Sequence, residues 1–211
     1  MLAVGAYGEA SCSRSISAYA HTGSGCGGSG AVYVFVRSTS SWTADGGSWE
    51  LEAYIKAPNA GSDLGLTSAF GGGDSFGWSI GLTDAVLAVG ASYEGSCENK
   101  VSSFATLDKY GCPRSGAVYL FTRSGTWWRF RAYLKAENAA RGDMFGDSLA
   151  LSESALVIGS PRESSCARGV MADTSTANEA CAYAGAIYAF QLPPPPPPPV
   201  RLAFLERGHA R

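Results

Sequence analysis

Apolar residues along this chain gather in short runs of strand length, of which Ala85–Ala91 is among the longest, with glycine-rich and polar stretches between them. Val86-Leu87-Ala88-Val89-Gly90-Ala91 and Gly116-Ala117-Val118-Tyr119-Leu120-Phe121 are apolar almost throughout. Such runs predict strands covered on both faces. Another kind of segment alternates: Trp128, Phe130, Ala132 and Leu134 fall on one side, with Arg129, Arg131, Tyr133 and Lys135 on the other. Trp49, Leu51, Ala53 and Ile55 against Glu50, Glu52, Tyr54 and Lys56 repeat that pattern. Alternation with charge on one side predicts a half-exposed strand at the outer edge of a sheet.

These segments recur in a fixed order. Phe76-Gly77-Trp78-Ser79-Ile80-Gly81-Leu82 returns 69 residues later as Phe145-Gly146-Asp147-Ser148-Leu149-Ala150-Leu151. The second segment, Val86–Ala91, is echoed by Leu156–Ser160 and by Leu2–Ala6. The third stands at Gly30–Phe35, Gly116–Phe121 and Gly185–Phe190, and the fourth at Trp49–Ala57 and Trp128–Ala136. Each unit is therefore a four-segment meander; the first lacks its opening strand and the third its closing one. Small residues (Ser79, Gly81, Gly90) crowd the first two segments, where backbones converge. The expected fold is all-β, built of four-stranded antiparallel β-propeller blades, about three of them, in an incomplete propeller. The blades occupy residues 1–191, in units of approximately 1–75, 76–144 and 145–191. A polyproline linker at 192–199 and a short disordered tail at 200–211 follow.

Composition agrees with many short strands joined by turns: 27 glycines and 11% aromatic residues. The net charge of −2 and 16% charged residues argue against a nucleic-acid partner. No apolar run reaches the roughly 18 residues of a membrane-spanning helix, so no membrane span is expected in this chain. Met1 leads straight into Leu-Ala-Val-Gly without a signal peptide.

Phe-Gly opening the unit, Val-Gly-Ala closing its second segment and Gly-Ala-Val-Tyr-x-Phe in its third resemble the FG-GAP repeat. That resemblance covers most of residues 1–191. It implies the β-propeller of integrin α heads and of integrin-like extracellular proteins, and with it a non-enzymatic module for adhesion or ligand binding. It also implies calcium in an Asp-rich loop between the first two strands of a blade. Here that connection is only Thr83-Asp84-Ala85 or Ser152-Glu153-Ser154-Ala155, so no cofactor is expected.

Six cysteines form three pairs, Cys12/Cys26, Cys97/Cys112 and Cys166/Cys181, each between the second and third segments of its unit. The repeat favours one disulfide inside each loop, the alternative being six reduced thiols. Paired cysteines point to an extracellular or cell-surface location, which makes truncation of the N-terminus the simplest account of the missing signal peptide. In a meander the 2–3 and 4–1 connections emerge on one face. The long loops are of those kinds: the cysteine loops, Pro58–Ser75 and Glu137–Asp143. That face is expected to bind a protein or glycan. The alternatives are a structural spacer in a large surface protein, or the remnant of a hydrolase whose catalytic domain is missing.

Four local motifs compete with the repeat. Phe145–Leu149 resembles a GDSL esterase block and Gly73–Gly77 a nucleophile elbow, yet both sit in the Phe-Gly element and no Asp-x-x-His follows. Gly23–Gly28 fits a dinucleotide fingerprint but leads into a strand. Arg141-Gly142-Asp143 spells an adhesion tripeptide, although Gly-Asp also precedes the other Phe-Gly. Pro193–Pro199 reads as a polyproline II spacer that could also take an SH3, WW or profilin-type partner.

Overall fold

A computed structural model describes residues 1–38, 47–60, 73–105, 111–170 and 180–193. The linker from residue 194 onward, the tail and the tip of the Ser38–Ser48 connection fall outside the described residues, as does most of Pro58–Ser75. Strands β1 (Leu2–Ala6), β2 (Ile16–Ser17), β3 (Ala31–Arg37) and β4 (Trp49–Ile55) form one sheet in the order β1-β3-β4-β2. Strands β5 (Ser79–Leu82), β6 (Val86–Ala91), β7 (Ala117–Ser124) and β8 (Trp127–Leu134) form a second in chain order. Strands β9 (Ser148–Leu151), β10 (Ala155–Ser160) and β11 (Ala186–Gln191) form a third, with β11 at its edge. All strand pairs are antiparallel. Among the described residues there is no helix, and so none long and apolar enough to cross a membrane. These are the expected blades, and they do not close into a ring.

The sheets stack face to face through two apolar cores. Val32, Val34, Ala53 and Ile55 of the first meet Leu87, Val89, Tyr119, Phe121 and Tyr133 of the second. The opposite face of the second, through Ala88, Val118, Leu120 and Leu134, meets Leu156, Ile158, Tyr188 and Phe190. Alternation along β6 and β7 sends successive side chains to the two cores, which is why both strands read as unbroken apolar runs.

The Phe-Gly elements weld the seams. Phe76 and Phe145 are fully buried, and each pairs through a parallel bridge with a glycine of the preceding blade, Gly30 or Gly116. The Phe145 ring meets Tyr188 edge-on at 5.1 Å, and Phe76 meets Tyr119 at 5.3 Å. Nearer the inner strands, a Cβ on Gly90 would lie 2.2 Å from the Gly146 carbonyl oxygen. Small residues are required wherever two blades approach this closely.

The outer strand departs from its expected exposure. Tyr54, Lys56, Tyr133 and Lys135, expected on the exposed side, are at most 1% exposed. A bulge is one cause: Phe121 lies opposite Phe130 while Leu120 lies opposite Ala132, leaving Arg131 unpaired. The extra residue turns the strand over, so that Phe130 and Tyr133 share the face of Tyr119. Glu52 is skipped in the same way in β4. The second cause is cover. Strand β2, from the first cysteine loop, pairs with Tyr54 and Ile55, and Ser102 from the second loop bridges to Tyr133. The cysteine loops therefore shield the C-terminal end of each of these outer strands from edge pairing.

Candidate ligand-binding face

The first two cysteine loops are each fixed at the base by a repeated buried polar cluster. Glu94 accepts hydrogen bonds from the Ser96 backbone N–H, at 3.2 Å, and from Ser96 Oγ, at 3.0 Å. Lys135 Nζ lies 3.0 Å from Glu94 Oε2 and donates to Ser115 Oγ at 2.6 Å; both charged side chains have no exposure. Ser115 Oγ donates to the Ser96 carbonyl at 2.8 Å, and the Tyr133 hydroxyl meets Ser96 Oγ at 2.6 Å. The first blade repeats this set with Glu9, Lys56, Ser11, Ser29 and Tyr54. A recurring Glu-x-Ser-Cys, Ser-Gly-Ala and Lys-Ala-x-Asn thus ties the two ends of the first two disulfide loops to the outer strand.

Burial pulls Lys135 below the ordinary lysine range, with Glu94 opposing it. Burial raises Tyr133, and pushes Tyr54 up to about 12. Burial also tends to raise Glu9, but hydrogen bonds from Lys56 and the Ser11 N–H outweigh it and hold the carboxyl below its ordinary value. Glu52 is lowered by the Arg123 guanidinium, which grips it from the next blade at 2.7 and 2.5 Å. A carboxyl lowered on folding adds stability above its unfolded value near 4.5, and that contribution disappears as pH falls through the folded value. The urea midpoint is therefore expected to drop between about pH 5 and pH 3, and less steeply in a Glu52→Gln variant.

Disulfides Cys12–Cys26, Cys97–Cys112 and Cys166–Cys181 close the loops, with Cα separations of 5.1, 5.0 and 5.0 Å. There are no free cysteines. Converting Cys97 and Cys112 together to alanine is expected to cost roughly 3 kcal/mol, read as a lower urea midpoint, because the unfolded chain regains its loop freedom.

The 4–1 connections dock on the cysteine loops. Ser75 N–H donates to the Gly28 carbonyl, Met144 N–H to that of Arg114 and Phe145 N–H to that of Ser115. Both kinds of connection therefore share one face. Across it runs a line of rings from the ends of the inner strands. Tyr7, just after β1, meets Trp78 at 4.9 Å; Trp78 meets Tyr93 at 6.1 Å; and the Arg114 guanidinium lies 4.9 Å above the Tyr93 ring. Tyr7 is 53% and Trp78 41% exposed. In the next blade Arg162 stands over the exposed Tyr183 at 5.8 Å. Rigid rings and a stacked guanidinium are the groups that dominate binding hot spots.

The tripeptide 141–143 does not join them. Arg141 is exposed, but Asp143 is 1% exposed and its carboxylate accepts the Ala140 N–H at 2.7 Å. Its acid is thus held within its own turn, so the two charges are not presented together. Among the described residues, no group of three or more His, Cys, Asp or Glu is placed to hold a metal ion. The short 1–2 turns are closed by their own hydroxyls, Thr83 Oγ1 accepting the Val86 N–H at 3.1 Å and Ser152 Oγ the Ala155 N–H at 3.0 Å. Of Pro193–Pro199, only Pro193 is among the described residues.

Compared with known proteins, residues 128–190 match the family model of the FG-GAP repeat. No curated protein matches the chain at a significant level. The matched stretch runs from the outer strand of the second blade through the Phe-Gly seam to β11 of the third. The sheets before it repeat its strand order, its Phe-Gly element and its disulfide loop. The match supports an FG-GAP repeat over residues 128–190.

Proposed function

We propose that the chain is a non-enzymatic, integrin-like binding module that takes a protein or glycan ligand on the face carrying Tyr7, Trp78, Tyr93 and Arg114. The observation that carries this reading is the partly exposed Tyr7–Trp78–Tyr93 line, capped by Arg114 on the same face as the disulfide-closed loops. Aromatic rings that stay partly exposed on a rigid frame supply contact area at little entropic cost on binding. Three disulfides fit an oxidising compartment, which supports an extracellular or cell-surface setting. The module needs no cofactor on this reading.

A glycan array and a cell-surface pull-down with the oxidised chain test it. Trp78→Ala is expected to weaken the captured interaction at least tenfold, beyond the stability lost with the ring's contacts to Tyr7 and Tyr93, which the urea midpoint reads separately. Binding that survives Trp78→Ala and Arg114→Ala together would overturn the placement. No ligand in either assay would leave the spacer reading ahead.

A further inference from the structure

Tyr93 and Arg114 stand on the two stems of the second cysteine loop, and the third blade carries the same two groups in exchanged places. Ala91-Ser92-Tyr93-Glu94 corresponds to Ser160-Pro161-Arg162-Glu163, and Cys112-Pro113-Arg114-Ser115 to Cys181-Ala182-Tyr183-Ala184. Both pairs stack, guanidinium over ring, at 4.9 and 5.8 Å. The second member of each pair lies in the left-handed region, Arg114 at φ 62° and Tyr183 at φ 56°. In the first blade Gly28 makes the same turn at φ 70°, and Gly8 holds the other stem position. The turn therefore needs no side chain, and a larger residue there bears backbone strain that its side chain must offset. Because the two members can trade places, what the second and third blades have in common is the pair itself.

The connection between these blades draws the pairs together. Gly142 N–H donates to the Pro113 carbonyl at 3.1 Å, Met144 N–H to that of Arg114 at 2.9 Å, and Arg162 N–H to that of Asp143 at 3.3 Å. Arg114, Arg162 and the exposed Arg141 are thus all anchored to residues 141–144. Asp143, the acid within that stretch, is 1% exposed and accepts the Ala140 N–H, which withdraws it from the surface. Basic groups and rings therefore alternate along the seam, from Trp78 and Tyr93 through Arg114 to Arg162 and Tyr183.

We propose that this seam binds an anionic glycan, its carboxylate or sulfate groups on Arg114 and Arg162 and its sugar faces on the neighbouring rings. This rests on the ring face being the binding face and names its ligand class. Stacking engages the flat face of a guanidinium, orients it, and leaves its N–H edge for a bidentate oxyanion. The electron-rich face of an aromatic ring takes the polarised C–H face of a sugar. A glycan with charged substituents offers both groups in alternation on a stiff backbone, as the seam does. An acidic peptide offers carboxylates without the flat C–H faces.

The test is calorimetric titration of the full oxidised chain with dextran sulfate oligosaccharides, oligouronates, neutral dextran and polyglutamate of matched length. One or both anionic glycans are expected to bind, and the comparison tells sulfate from carboxylate. Arg114→Gln and Arg162→Gln are each expected to weaken binding roughly fivefold or more. Arg129→Gln/Arg131→Gln, which removes two exposed charges from the outer strand β8, is expected to change it less than about twofold. No binding of either anionic glycan, or equal binding of neutral dextran or polyglutamate, would overturn the proposal. So would an equal loss in the β8 variant, which would mean charge attraction alone. A lower urea midpoint in Arg114→Gln with binding unchanged would also overturn it, since the pair would then only clasp the loop stems. An uncharged glycan or a protein captured through Trp78, with no anionic glycan bound, would leave the ring face standing and remove this inference alone.

Discussion

Replacing Lys135 by methionine is expected to lower stability by about 3–5 kcal/mol, the cost of stranding one member of a buried ion pair. Lys135 and Glu94 have no side-chain exposure, and Ser115 and Ser96 satisfy their remaining groups. Methionine keeps the volume of the chain but leaves the Glu94 carboxylate in an apolar seam without a cation. The double variant Glu94→Gln/Lys135→Met is expected to recover most of the loss, since an uncharged amide still accepts from Ser96. The exposed pair Lys100–Glu98, at 3.7 Å, is the control; its removal should change stability by less than about 0.5 kcal/mol. Urea unfolding of the oxidised proteins measures all three. A loss below about 1 kcal/mol for Lys135→Met would show that the pair is not what holds the second loop.

The second large effect falls on a glycine. Gly116 has φ +83°, and a Cβ there would stand 2.1 Å from the Phe145 carbonyl oxygen, at the parallel bridge joining the second and third blades. Alanine must bear roughly 1–2 kcal/mol of left-handed strain and also push apart two backbones. Gly125, with φ +63° and nothing within 4 Å of a Cβ, isolates the first contribution. Gly125→Ala is therefore expected to cost about 1 kcal/mol, and Gly116→Ala at least twice that. A Gly116→Ala loss no larger than that of Gly125→Ala would mean the seam yields easily.

The blade plan was legible because the second and third strands of each unit are covered on both sides, which forces apolar runs that repeat in register. The cysteine pairs were legible for a related reason, each falling at the same point of the unit. The outer strand misled. Period-two alternation from Trp128 to Lys135 assumes an unbroken pleat, and the bulge at Arg131 breaks it. The lysine at the end of that strand reads as a surface charge unless Glu94, 41 residues earlier, is known to lie beside it. The ring face was hidden for the opposite reason. Tyr7, Trp78 and Arg114 stand where the other units have Ser92, Asp147 and Gly28, so a search for what repeats passes over them.

One side-chain tie between blades recurs in the same direction. Asn59, beyond the first outer strand, accepts from the Tyr119 hydroxyl of the next blade at 2.7 Å, and Asn138 accepts from Tyr188 at 2.7 Å. Each of the first two blades thus presents its asparagine to the one that follows. On a ribosome, where the N-terminal part emerges first, a finished blade would offer a ready template to its successor. Assembly acquires an arrow of time: a blade that misfolds deprives everything synthesised after it of a foothold, while those already made keep theirs.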